Sequence, residues 1–371
     1  MSKQDYVDYL KIWFPRNKAK GLISQILFEE EFESGFLKKH ADKIYPGCWV
    51  VSPKSFDSNR YQYVISVHEK TLDHEPEEDE IDQLLGASDV KFYKIANFVS
   101  NASMGILYAV PYSDDGKIDF SRINADDFAA VQWSMFIFKQ GSLKKINADD
   151  FFSNWRSGQR ARKARDKWDD DPILTSKLLN MTEQKLESFV LKELFYTGFL
   201  KSTVKISTDD PYDVDCFIVS TQTENVFPLE LKEKTPVYKK YRDGTTSIHY
   251  FGIDTGRVSM MERLCSPSDS NAFYVVREVD DTENRNLKSW KVMTLAGIVS
   301  ASSWNSVAGG TGMFGGGTST ASLPYSEFED LNESTFEESN LGKISKRSQS
   351  VKDITAKYEL DRTDRENQTI N

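Results

Sequence analysis

The sequence predicts an α/β protein with two domains, the second built on a central mixed β-sheet flanked by helices. A chain of 371 residues is longer than one hydrophobic core usually serves. Short runs of β-branched and aromatic residues, bounded by turn formers, predict strands in both halves of the chain. Stretches with apolar residues at helical spacing predict helices between or before these strands.

Changes in composition set the predicted domain boundaries. An N-terminal α/β domain that recognises DNA or a partner is expected over residues 1–155, a basic linker over 156–172, and the second domain over 173–325. After residue 325 few apolar residues remain and charges dominate. Residues 326–371 are therefore expected to form a polar, flexible tail.

Two predicted helices precede four predicted strands in the N-terminal domain. The helices cover residues 5–14 and 22–39, and the strands cover residues 48–52, 61–67, 105–110 and 133–138. The hexapeptide Ile-Asn-Ala-Asp-Asp-Phe occurs twice, at residues 123–128 and 146–151. An Asn followed by acidic residues is typical of a helix start, which each copy therefore predicts.

Charge, cysteine and histidine content limit the possible functions. The net charge of −10 argues against a protein that coats nucleic acid through a generally basic surface. The N-terminus shows no signal-peptide pattern, and no apolar run is long enough to span a membrane. We therefore expect a cytoplasmic protein that is not embedded in a membrane. Three cysteines in no zinc-binding pattern predict buried, reduced thiols.

The linker holds the densest basic cluster in this acidic chain. Its cations can contact a phosphate backbone, or can simply solvate an exposed linker helix. The candidate nucleic-acid contacts are Arg156, Arg160, Arg162, Lys163 and Arg165.

The most informative block covers residues 182–234. A predicted helix over residues 182–197 carries Glu187 beside its apolar stripe. A strand is expected next, over residues 199–207. A second strand is expected over residues 213–219. The chain then turns at residues 220–225 and returns as a strand over residues 226–232.

The returning strand places two opposite charges on one face. Glu230 and Lys232 are two residues apart and share a face, while Leu229 and Leu231 point into the core. The neighbouring antiparallel strand can bring Asp215 alongside them. Two carboxylates can hold Mg²⁺, and a lysine can offset charge during hydrolysis of a phosphodiester. The alternative is a structural ion pair of Glu230 with Lys232 or with Arg257.

This block resembles the PD-(D/E)xK nuclease superfamily, which has the restriction-endonuclease-like fold. The resemblance covers about residues 183–280, with Glu187 in the first helix, Asp215 opening the second strand, and Glu230-Leu-Lys232 as the ExK motif. The Pro-Asp pair of the family is absent. Asp213 could therefore replace Asp215 as the acidic ligand, although the unbroken apolar strand after Asp215 favours the latter.

The resemblance implies a Mg²⁺-dependent endonuclease that cuts double-stranded DNA and leaves 5′-phosphates. Asp215 and Glu230 would hold the metal, and Lys232 and Glu187 would complete the catalytic set. The large companion domain favours a site-specific, restriction-type homodimer over a DNA-repair or junction-resolving nuclease. A nucleic-acid-binding or regulatory protein on a degenerate nuclease fold is the alternative from another class.

Overall fold

The computed structural model describes ten segments of the chain. They are residues 2–13, 16–53, 62–86, 89–122, 131–155, 172–206, 212–240, 247–281, 284–302 and 320–345. The first hexapeptide copy and the predicted phosphate contacts of the linker (Arg156, Arg160, Arg162, Lys163 and Arg165) lie outside these described residues.

The chain forms two compact units, each of the α/β class. Unit 1 combines Met1–Glu30 with Tyr45–Cys216, and unit 2 combines Glu31–Ile44 with Phe217–Asn371. This division differs from the sequential domains expected from composition, because unit 2 takes in a short segment from near the N-terminus. The predicted α/β class with mixed sheets and helices is confirmed in this coarser form.

Unit 1 is built on a mixed β-sheet. Its strand order runs β1-β2-β3-β4-β5, in which β2 and β3 are parallel and the other neighbours are antiparallel. The strands that lie mainly in unit 1 are β1 (Ile44–Val51), β2 (Tyr63–Val67), β3 (Gly105–Tyr112), β4 (Gln132–Lys139), β5 (Ser142–Ile146) and β6 (Tyr212–Val219). Its helices are α1 (Lys3–Trp13), α2 (Arg16–Glu33), α3 (Ile81–Leu85), α4 (Asp89–Asn101), α5 (Ala148–Phe151), α6 (Pro172–Asn180) and α7 (Glu183–Glu193).

The prediction of a strand over residues 199–207 is wrong, because α7 continues directly into a π-helix, Leu194–Thr203. The apolar residues that suggested a strand pack into the core of unit 1, where Leu200 and Val204 are buried. Side-chain burial in the tertiary structure thus overrides a local preference for strand.

Unit 2 contains two sheets. Four strands follow the order β13-β11-β10-β7, in which β7 and β10 are parallel and the other pairs are antiparallel; β12-β9-β8 form a separate antiparallel sheet. The strands are β7 (Val226–Lys234), β8 (Val237–Lys240), β9 (Ser247–Asp254), β10 (Phe273–Val279), β11 (Leu287–Thr294), β12 (Thr320–Pro324) and β13 (Glu329–Asp330). The helices are α8 (Thr255–Cys265), α9 (Leu295–Ala301) and α10 (Glu338–Ile344).

A buried polar clasp explains why residues 31–44 belong to unit 2. The Lys43 ammonium donates to the Phe336 carbonyl at 2.8 Å and pairs with the Glu338 carboxylate at 2.9 Å. Glu338 also accepts hydrogen bonds from the Ser220 and Thr221 hydroxyls at 2.6 and 2.9 Å. The clasp therefore joins three segments that are far apart in the sequence.

The predicted tail begins too early, because residues 326–345 are packed into unit 2. Phe328, Leu331, Phe336 and Leu341 are buried, and the Phe336 ring contacts the Phe32 and Phe273 rings. Residues 326–345 contain few apolar side chains, but contacts with distant parts of the chain bury them. Composition alone could not indicate these contacts. Residues 346–371 lie outside the described part.

Several local predictions are confirmed. Asn147 caps α5 by accepting a hydrogen bond from the Asp150 amide at 3.0 Å. The turn between β6 and β7 is closed by a bond from the Ser220 amide to the Asn225 carbonyl at 2.9 Å. Cys48, Cys216 and Cys265 are buried and form no disulfide. Within the described residues, every helix is too short or too polar to cross a bilayer.

The clasp makes the stability of unit 2 dependent on pH. Burial raises the pKa of Glu338, but hydrogen bonds from Ser220, Lys43 and Thr221 outweigh it and lower the pKa from 4.5 to about 2. A lowered pKa stabilises the folded state above the unfolded-state value, and this contribution is lost as pH falls from about 4.5 to about 2. We expect the denaturation midpoint of wild type to fall more steeply over that range than that of Glu338→Gln.

The matched control is Glu327→Gln, which removes an exposed carboxyl from the same unit. It should keep the wild-type slope. Identical slopes for wild type and Glu338→Gln would show that the clasp carries no proton-linked stability.

Candidate active site

The predicted alternation on β7 is confirmed on its apolar side. Leu229 and Leu231 are buried in the core of unit 2. Glu230 and Lys232 alternate with them and lie on the opposite face. Because β7 pairs with β10 in parallel, Tyr274 is the register partner of Glu230, and Val276 is that of Lys232.

Glu230 is a buried carboxylate held by two cations. Its side chain is 2% exposed and forms ion pairs with the Lys232 ammonium and, at 3.4 Å, with the Arg257 guanidinium. The two cations are less buried, at 35% for Lys232 and 19% for Arg257. A carboxylate taken out of water is costly unless charge and hydrogen bonds compensate it, and these two cations supply that compensation.

Helix α8 delivers Arg257 to this site. Asp254 caps the helix by accepting a hydrogen bond from the Gly256 amide at 2.7 Å. The cap fixes where the helix starts after β9, and Arg257 lies in the first turn. A cation in the first turn of a helix is electrostatically unfavourable, because the N-terminal end carries partial positive charge. The ion pair of Arg257 with Glu230 offsets this cost.

The pKa values of two neighbouring side chains reflect the charges in the site. Burial, and then the Glu230 charge, raise the pKa of Tyr274, whose hydroxyl donates to the Gly252 carbonyl at 3.0 Å. Burial, and then the nearby Lys232 ammonium, lower the pKa of Lys234 despite the opposing effects of Glu230 and Asp254. This face of β7 therefore carries one buried carboxylate among an excess of positive charge.

One carboxylate oxygen is suited to a metal cation. Glu230 Oε1 is buried and lies against the Lys232 ammonium. The position already accommodates a cation. Within the described segments no three His, Cys, Asp or Glu side chains form a ready cluster for a metal. Mg²⁺ needs only one or two carboxylates when water and substrate phosphate supply the other oxygens, so Glu230 fits that donor set.

The structure places Glu187 and Asp215 in unit 1. Glu187 lies on α7, and its carboxylate accepts a hydrogen bond from the Thr71 amide at 3.0 Å. Asp213 and Asp215 lie half-buried on β6. Within unit 2, the structure brings together Glu230, Lys232 and Arg257.

Glu233 is buried between two arginines of unit 2. Its carboxylate binds Arg277 at 2.7 Å and Arg285 at 2.7 and 2.8 Å, and all three side chains are buried. A cross-strand partner on β10 and a residue in the loop after it supply these arginines. No local pattern on β7 could have indicated partners so distant in sequence.

An open depression in unit 1 offers no comparable chemistry. Its lining residues are Lys11, Pro172, Thr175, Ser176, Leu179 and Asn180. This set contains one cation and no acid, so it lacks the groups needed for acid–base or metal-assisted catalysis.

Comparison with known proteins gives no further assignment. No protein-family model, no curated protein and no solved structure matches this chain. The functional argument therefore depends on the residues and their geometry.

The two ion pairs of Glu230 should differ in their contribution to stability. We expect Arg257→Ala to lower the free energy of unfolding by about 1.5–3 kcal/mol, because it removes a largely buried donor from a buried charge. Lys232→Ala should cost less than about 1 kcal/mol, because water screens its more exposed ammonium. Its loss also relieves repulsion of Lys234.

Denaturant titration measures both effects. Lys144→Ala, which breaks an exposed pair with Glu78, is the control and should change stability by less than about 1 kcal/mol. An equal loss for Lys232→Ala and Arg257→Ala would identify Lys232 as a structural counter-ion and remove support for a catalytic role.

Proposed function

We propose that this protein is a Mg²⁺-dependent endonuclease that hydrolyses DNA phosphodiester bonds. The observation that carries the proposal is Glu230, a buried carboxylate on a strand beside the partly exposed Lys232. Active sites commonly hold charged groups in such costly positions. The sequence resemblance to the PD-(D/E)xK pattern supports the same assignment.

Each residue has a distinct role in the proposed reaction. Glu230 and Asp215 would hold Mg²⁺, which would polarise the phosphate and lower the pKa of a bound water. Arg257 positions Glu230 through their ion pair. The Lys232 ammonium orients the attacking water and offsets the negative charge that develops on the phosphate oxygens.

The proposed hydrolysis has a simple bond balance. The water oxygen forms a bond to phosphorus, and the bond between phosphorus and the 3′-oxygen breaks. The water gives up a proton and the departing 3′-oxygen takes one. The products are a 5′-phosphate and a 3′-hydroxyl.

The remaining parts of the proposal rest on the sequence. Its acid-containing strand supports Asp215 as the second metal ligand, and the position of Glu187 in the preceding helix supports an accessory role. The basic run at residues 156–167 supports contact with double-stranded DNA. A large companion domain supports site-specific cutting by a homodimer.

A second candidate is a nucleic-acid-binding protein on an inactive nuclease fold. One observation favours it: Lys232 and Arg257 already compensate Glu230 within unit 2. Such a protein would bind DNA but form no metal-dependent product.

Cleavage of plasmid and phage DNA tests the proposal. With Mg²⁺, wild type is expected to give discrete fragments, and EDTA should abolish them. Lys232→Ala should lower the rate by at least about a hundred-fold, as expected for loss of a group that stabilises charge in the transition state.

Lys288→Ala is the matched control. Lys288 also pairs with a buried carboxylate on a neighbouring strand, Glu278, at 2.7 Å, but Ser289 and Tyr325 also donate to that carboxylate. This variant should cut like wild type. Binding without cleavage on both methylated and unmethylated DNA would favour the second candidate.

A further inference from the structure

An exposed aromatic pair lies on the small sheet of unit 2. Tyr238 on β8 and His249 on β9 are directly opposite in the antiparallel register, and their ring centroids are 4.9 Å apart at 62°. The Tyr238 side chain is 55% exposed. Among the described residues it is the only aromatic one in the set of strongly exposed large apolar side chains. The two rings together form a small exposed aromatic patch on the edge strand β8 and its neighbour β9.

The pair continues a row of aromatic rings that begins in the core. Phe251 is fully buried and contacts the Tyr325 ring at 5.4 Å, and Tyr325 contacts His249 at 6.3 Å. Tyr325 is fixed because its hydroxyl donates to the buried Glu278 carboxylate at 2.9 Å. The row therefore gives the exposed pair a rigid support and leaves Tyr238 at its outer end.

The sequence around Tyr238 is rich in lysine. Residues 232–240 (KEKTPVYKK) contain four lysines and one acid. That acid is Glu233, whose carboxylate is bound by the buried Arg277 and Arg285. The segment is locally cationic although the chain as a whole carries a net charge of −10.

The segment is also continuous with the candidate active site. Only Thr235 and Pro236 separate the end of β7, which carries Lys232 and Lys234, from the start of β8. Lys232 and Tyr238 therefore lie on consecutive strands of the chain.

We propose that Tyr238 and His249 bind an unpaired base of the nucleic-acid substrate next to the cleaved phosphodiester. Exposed rings stack on any base, and flanking lysines neutralise the phosphates of the same strand. A duplex hides the faces of its bases, so stacking of this kind requires at least one unpaired nucleotide. The position of this base beside the cleaved bond rests on the proposed nuclease function. The inference adds that the substrate has an unpaired or displaced segment.

Binding without catalysis tests this inference independently of cleavage. Fluorescence anisotropy would be measured in EDTA on wild type, Tyr238→Ala and Tyr238→Trp. The probes are a labelled DNA single strand about 20 nucleotides long, the matching duplex, and a duplex with a short gap. Loss of one stacking contact should weaken binding of the single strand and the gapped duplex by about five-fold to a hundred-fold in Tyr238→Ala. Tyr238→Trp should restore it, and duplex affinity should not change.

Leu287→Ala is the control, because it removes an exposed apolar side chain from β11 in the same unit. It should bind all three probes like wild type. Equal weakening on single strand and duplex would overturn the assignment to an unpaired base, as would unchanged binding in Tyr238→Ala.

Self-association is measured in parallel by light scattering. A dimer lost in Tyr238→Ala, with unaltered affinity for DNA, would assign this edge strand to a second copy and overturn the inference. Binding through Tyr238 by a protein that never cuts DNA would leave the inference about the surface intact and refute the nuclease proposal.

Discussion

The burial of Glu230 is the constraint around which the candidate site is organised. A carboxylate that is 2% exposed needs positive charge close by, and the fold supplies it from two directions. Lys232 comes from the same strand, and Arg257 comes from the helix that crosses between the parallel strands β7 and β10. The crossover that a parallel pair requires thus also brings the second cation to the acid.

The same principle recurs elsewhere in unit 2 with a different outcome. Glu278 is also fully buried, but a lysine, a serine and a tyrosine all donate to it. Glu338 is tied to Lys43, Ser220 and Thr221. These two carboxylates are saturated with hydrogen bonds and serve as structural ties. Glu230 is instead compensated by two cations, of which Lys232 is 35% exposed.

One segment of this protein is rich in positive charge although the net charge of the chain is negative. The chain is acidic overall, yet the strand that carries Glu230 and the strand that follows it are rich in lysine. Burial of Glu233 between two arginines removes the negative charge that the sequence places among those lysines.

The sequence by itself determined the α/β class, the alternation on β7 and the cap of α5, because these depend on residue periodicity and on side chains a few positions away. Only the tertiary structure decided the π-helix after α7, the recruitment of residues 31–44 into unit 2 and the arginine partners of Glu233. These depend on contacts between segments tens to hundreds of residues apart. Burial and charge compensation between such segments leave no periodic trace in the chain, so no local pattern could have predicted them.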